Sequence, residues 1–225
     1  MDEERVRRAL CETLAPFGVE ADAGGPAELP YGRLYAELTG GAAGDPYPAA
    51  IESVYEGYLL HYRESRLLPA DASLETRLLA GDHCDACGLR IVASGGDLDS
   101  VELLTRLMAT CSWLRAEGLS FAYDDDLWAL TVAGLASVRT GGNAVAGLRA
   151  FDEVALAIVR GRVERLPEVV RRTAAALYLK DARPLRAALG LEPAAGGGAA
   201  AEPAAETPVE PSAEPVPEAV AKEAS

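Results

Sequence analysis

Two amphipathic stretches that meet at Gly95-Gly96-Asp97 constrain this chain more than any other feature. In SLETRLLAGDHCDACGLRIVAS, the residues Leu74, Leu78, Leu79, Asp82, Ala86, Leu89 and Ala93 recur at the spacing of one helical face. In LDSVELLTRLMATCSWLRA, the same spacing runs through Val101, Leu104, Leu107, Met108, Cys111 and Leu114. Asp71 stands ahead of the first stretch as a candidate N-cap. Gly95-Gly96 ends it, because glycine takes the left-handed conformation that closes a helix without a Cβ clash. The carboxylate of Asp97 is suited to accept from the free N–H groups at the start of the second stretch, and Gly118 ends that one. The spacing therefore predicts a helical hairpin with the Leu74-to-Ala93 face turned inward. Asp82 falls on that face. A buried carboxylate needs a hydrogen-bonding or charged partner, such as an Arg from a neighbouring helix. Asp85 lies one turn on, nearer the polar side. A divalent ion shared by Asp82 and Asp85 is the alternative reading of the pair.

The rest of the chain follows the same period. Val6, Leu10 and Leu14 share a face of a first helix over residues 3–15, with Asp2, Glu3 and Glu4 at its positive end. Leu34 and Leu38 mark a short helix over 31–39. A third, to about Arg66, buries Ile51, Val54, Tyr55, Tyr58, Leu59 and Tyr62. Beyond Gly118, Asp124 or Asp125 caps a helix through Leu127, Trp128, Leu130, Val132, Leu135 and Val138. Asn143 starts a further one, with Val145, Leu148, Phe151, Val154, Ile158 and Val159. Pro167 opens another through Val170, Ala174, Leu177 and Tyr178, and Pro184 sets a final turn. Nowhere do Val and Ile alternate with polar residues over a strand's length. The expected fold is all-α, a single bundle of about seven or eight helices over residues 1–190.

Residues 191–225 change character. Ala, Pro, Glu and Gly fill them without a periodic apolar face, so they are expected to be a disordered acidic tail. The tail reads either as a tether for a partner or as a solubilising segment. From Glu192 onward it carries seven Glu and one Lys, hence −6 of the chain's net −14. A surface of that sign repels phosphate backbones and anionic membranes, so no nucleic-acid partner is expected. The most apolar helix, near Leu127 to Val138, is too short to span a bilayer. The start, MDEERVRRAL, lacks the apolar run of a signal peptide, which makes cytoplasmic location the expectation.

Four cysteines without an export signal are expected as reduced thiols. His83, Cys84 and Cys87 form HCDAC, which reads as zinc or redox chemistry or as small buried thiols. Zinc needs a second ligand pair, and Cys11, Cys111 and His61 are scattered. A redox Cys-x-x-Cys sits at a helix start beside a strand, and this one is in mid-helix. TGGNAVAG has the glycines of a phosphate loop without its Lys or its strand.

The segment LLAGDHCDACGLRIVASGGDLDSVELL, with AEG after it, resembles part of the polyprenyl diphosphate synthase family. The resemblance rests on Ala80, Gly81 and Asp82, a helix, Gly96 and Asp97, a second helix, and Glu117. It implies an isoprenoid-synthase-like bundle. It also implies two Asp-Asp-x-x-Asp motifs, whose carboxylates on successive turns gather Mg²⁺ against a diphosphate. Where the first motif belongs, about thirty residues before Ala80 by the family pattern, this chain has Glu52, Ser53, Val54, Tyr55 and Glu56. The second acidic run, Asp124 to Asp126, comes early and has no spaced Asp after it. Arg63 and Arg66 stand where basic residues would grip diphosphate, and Tyr55, Tyr58 and Tyr62 would line an apolar slot. In length and in lacking both motifs, the chain is similar to the small component of two-component heptaprenyl diphosphate synthases.

The resemblance implies a non-catalytic or regulatory subunit, with interface and prenyl-chain enclosure as its contribution. A catalytic partner, or self-association, would supply the assembly, and Mg²⁺ would enter through that partner. The alternatives are a helical interaction module unrelated to isoprenoids and a divergent prenyltransferase with an altered metal site.

Overall fold

A computed structural model describes residues 1–20, 25–142, 144–177, 179 and 181–191. The predicted tail lies outside the described residues from residue 192 onward, as do Asn143 and Tyr178. Among the described residues the chain is all-helical. Nine α-helices follow one another without a strand: α1 Glu3–Leu14, α2 Pro30–Thr39, α3 Tyr47–Tyr62, α4 Leu74–Ser94, α5 Leu98–Ala116, α6 Ala122–Arg139, α7 Val145–Val159, α8 Leu166–Ala176 and α9 Arg183–Ala188. No helix among these residues is long and apolar enough to cross a membrane.

The local signals set most helix ends. Asp2 caps α1 by accepting from the Arg5 N–H, and Val6, Leu10 and Leu14 are buried behind it. Pro30, Pro167 and Pro184 each stand in a first turn, where the missing N–H has no helical partner to lose. Gly96 is left-handed at φ 74°, and Asp97 caps α5 by accepting from the Ser100 N–H at 3.0 Å. Some ends differ from expectation. Ser73, not Asp71, caps α4, through the Thr76 N–H. α3 stops at Tyr62, so Arg63 and Arg66 belong to the loop that follows.

The core is built around α6. Every residue from Leu127 to Ser137 is buried, as expected of a helix that is apolar on all sides. Packed around it are α2, α5, α8 and α9, while α3 pairs most closely with α4. On α5, Leu103, Leu104, Leu107, Cys111 and Leu114 fill the interior.

The α4 face is a correction to the sequence reading. The buried residues are Ala80, Gly81, Cys84, Gly88 and Val92, whereas Leu74 and Leu79 are 65% and 62% exposed. Small size decided this. A Cβ on Gly88 would come within 2.5 Å of the Val54 side chain and 2.7 Å of the Ala50 carbonyl oxygen. One on Gly57 of α3 would meet Asp85 Oδ1 at 2.3 Å and the Gly81 carbonyl at 3.0 Å. The two backbones approach where Cβ atoms are missing, and dispersion contacts plus the Ser53 hydroxyl donating to the Cys84 carbonyl outweigh burial of the leucines.

Candidate functional site

Three acidic positions lie along α3 and its neighbours, and each is handled differently. The first is Glu52 with Glu56. Both are fully buried, one turn apart on α3. Arg66 lies across them: Nη1 donates to Glu52 Oε2 at 2.6 Å and Nε to Glu56 Oε2 at 2.7 Å. Glu56 Oε1 also accepts from the Ser65 hydroxyl and the Arg66 N–H. Glu52 Oε1 accepts from the backbone N–H groups of Tyr31 and Gly32, at 3.0 and 2.7 Å. Those groups open α2, whose N-cap position holds Leu29 and supplies no acceptor. Glu52 is thus a long-range cap for a helix whose own sequence provides none. Burial pulls the Arg66 guanidinium down, but Glu52 and Glu56 more than offset it and hold it above its ordinary value.

The second position is Asp124. The sequence reading made it, or Asp125, a helix cap; the N-cap position is Phe121, without a side-chain bond. Asp124 is fully buried instead, accepting from the Tyr58 hydroxyl at 2.6 Å and from Arg115 at 3.1 Å. Burial pushes its carboxyl up, against the pull of both donors. Asp125 takes Arg63, Nη2 to Oδ1 at 2.8 Å. Arg63 also lies over the rings of Tyr58 and Phe121, at 5.5 and 4.6 Å.

The third is a cleft of about 230 Å³ between α3, α4, α5 and α6. Tyr58, Tyr62, Trp128 and Met108 wall it, and His61, Asp82 and Asp85 stand at its polar side. The two aspartates exchange the roles the sequence assigned. Asp82 is 74% exposed and Asp85 only 15%. The reason is the same rotation of α4 that turns its leucines outward. Among the described residues no Arg meets Asp82; its neighbour is His61, at 3.4 Å, with Asp85 3.8 Å from the same nitrogen. Both distances exceed a good N–H···O contact. Asp85 Oδ1 is buried without a hydrogen-bond partner. Burial, and then the charge of Asp82, push the Asp85 carboxyl up to about 7.

The five residues proposed to hold substrate divide among these positions. Tyr58 and Tyr62 face the cleft. Tyr55 is part of an aromatic cluster, its ring 4.7 Å from Tyr31 and 5.1 Å from Trp128. Arg66 is committed to Glu52 and Glu56, and Arg63 to Asp125. Gly81 serves close packing: a Cβ there would sit 2.6 Å from His61 Nε2. Sequence reasoning missed Trp128 and His61 as cleft residues. It also missed the link from Glu52 to α2, for which the only local signal was a helix start with no capping side chain.

Cys84 and Cys111 are buried thiols, each raised chiefly by burial. Cys87 Sγ lies 3.6 Å from His83 Nε2. Among the described residues, no group of three or more His, Cys, Asp or Glu side chains is arranged to hold a metal ion.

Comparison with known proteins finds no matching family model, no matching curated protein and no matching solved structure.

Proposed function

We propose that this chain is a non-catalytic or regulatory subunit that associates with a polyprenyl diphosphate synthase. One observation carries the reading: the outer face of α4. Leu74, Leu78 and Leu79, with Ala86 and Ala93 further along, keep the period of a buried face and yet are open to solvent. An apolar stripe left exposed on the side of a helix turned away from the core is the mark of a contact surface. From Leu78 onward the stripe lies within the segment that resembles the synthases; Leu74 stands just ahead of it.

The committed carboxylates support the non-catalytic half of the proposal. Glu52 and Glu56 occupy the place where the resemblance puts the first metal motif, and Arg66 already neutralises them. An Mg²⁺ ion would have to displace a guanidinium and uncap α2. That weighs against the divergent-prenyltransferase alternative. In the proposed assembly Mg²⁺ and diphosphate chemistry belong to the catalytic chain, and the α4 face provides interface and apolar cover for the growing product. An interaction module that binds other partners, or a second copy, would use the same face.

The test is co-expression with a polyprenyl synthase encoded beside this chain's gene. The expected result is a co-eluting complex whose Mg²⁺-dependent long-chain product requires both proteins, with no product from this chain alone. The double variant Leu78→Glu, Leu79→Glu is expected to abolish the complex and leave helical circular dichroism unchanged. A synthase that neither co-elutes nor changes its product would refute the proposal. A homodimer lost in the same double variant would favour self-association instead.

A further inference from the structure

The cleft beside Asp85 has no part in that proposal and stands independently of it. At about 230 Å³ it falls below the range of drug-sized sites, so it suits a ligand of only a few heavy atoms. Its apolar walls are largely aromatic side chains. The Tyr58 ring lies 5.5 Å from Tyr62 and 5.8 Å from Trp128. One polar atom of a lining residue, the acceptor Asp85 Oδ1, is buried without a hydrogen-bond partner. Native interiors seldom leave a buried acceptor unpaired, because it gives up its water without gaining a partner.

Charge selects the class of ligand. Asp82 and Asp85 both line the cleft, and no Arg or Lys does. The nearby guanidinium groups of Arg63 and Arg115 are held by Asp125 and Asp124. His61 is the one basic side chain in the lining, and it reaches neither carboxylate at good hydrogen-bond distance. An anion would meet uncompensated negative charge. A neutral ligand would leave that charge unanswered. A bare divalent ion finds too few ligands, as the metal geometry above shows. A cation carried on an apolar body answers both features, because aromatic faces attract it through their quadrupole and the carboxylates accept its N–H groups. Gly57 leaves the room that the Asp85 carboxylate needs.

We propose that this cleft binds a small protonated organic amine, its ammonium group between Asp82 and Asp85 and its apolar body against Tyr58, Tyr62 and Trp128.

Calorimetric titration of the full chain with cyclohexylamine, cyclohexanol, cyclohexanecarboxylate and Mg²⁺ or Zn²⁺ tests this. The amine is expected to bind at one site, about tenfold or more tighter than the alcohol, and the carboxylate not at all. Asp85→Asn and Asp82→Asn should each weaken the amine, Asp85→Asn by about tenfold, without changing alcohol binding. Tyr62→Leu should weaken the amine by a few fold. Helical circular dichroism of each variant reports that it has folded. Equal affinity for amine and alcohol, no saturable amine binding, or amine affinity unchanged in both Asp variants would overturn the proposal. So would a divalent ion that occupies the carboxylates in preference to the amine.

Discussion

Glu56 and Asp85 are both acids held between helices, and the chain treats them in opposite ways. Glu56, together with Glu52, is fully buried and surrounded by donors, with one guanidinium across both. Asp85 is slightly exposed, faces a second carboxylate, and keeps one oxygen unpaired. The first arrangement is closed: every lone pair that matters has a partner supplied by the fold, so nothing is left to offer a ligand. The second is open. A carboxylate held in poor solvation without a cation is a cost to the folded state, and the cleft in front of it is where that cost is relieved. Buried charge alone therefore does not mark a functional site; the missing partner does.

The comparison breaks most sharply at Arg66. Arg66→Met should leave Glu52 and Glu56 buried without a cation and weaken the cap on α2. The expected loss is about 3–5 kcal/mol in urea unfolding, enough to leave much of the chain unfolded. A loss under about 1 kcal/mol would mean that solvent reaches these carboxylates and that the closed arrangement is wrong.

Asp85 is expected to move stability the other way. Its folded value, about 7, lies above that of an unfolded carboxyl near 4. Between those limits the folded chain keeps a proton that the unfolded chain has released, so stability falls as pH rises across the window. The ceiling on that fall is about 4 kcal/mol. Groups facing Asp85 in the cleft include His61 of α3 and Asp82 of α4. Asp85→Asn removes the ionisable group and should be more stable than wild type at pH 8, by roughly 2 kcal/mol, with little difference at pH 5. Urea unfolding at both pH values measures this, and a difference that does not grow with pH would remove Asp85 as an ionisable burden.

The smallest effect is expected at Asp82. Exposed and unneeded by the core, it should tolerate Ala within about 0.5 kcal/mol. Its charge is the second cause of the raised Asp85 value. Asp82→Ala should therefore bring the Asp85 titration partway down, as read by carboxyl carbon chemical shifts against pH. An unmoved titration would assign the whole rise to burial.

What the sequence determined by itself was local. Helical periodicity, Asp97 as a cap, Gly96 as a left-handed stop and Pro167 and Pro184 in first turns act over one or two helical turns, and outside the α4 face each found its expected place. That is why the all-helical class and most boundaries could be read without a structure. Which face of α4 turns inward could not. Periodicity ranked Leu74, Leu78 and Leu79 above Gly81, Cys84 and Gly88 on hydrophobicity, whereas the close approach of α3 and α4 was decided by side-chain size, a property of two helices together. The acids followed from that choice. Rotating α4 onto its glycines buried Asp85 and freed Asp82, and the fate of Glu52 depended on Arg66 and on the start of α2. Partners so far apart in sequence are set by tertiary packing, because only there does each carboxylate meet, or fail to meet, its cation.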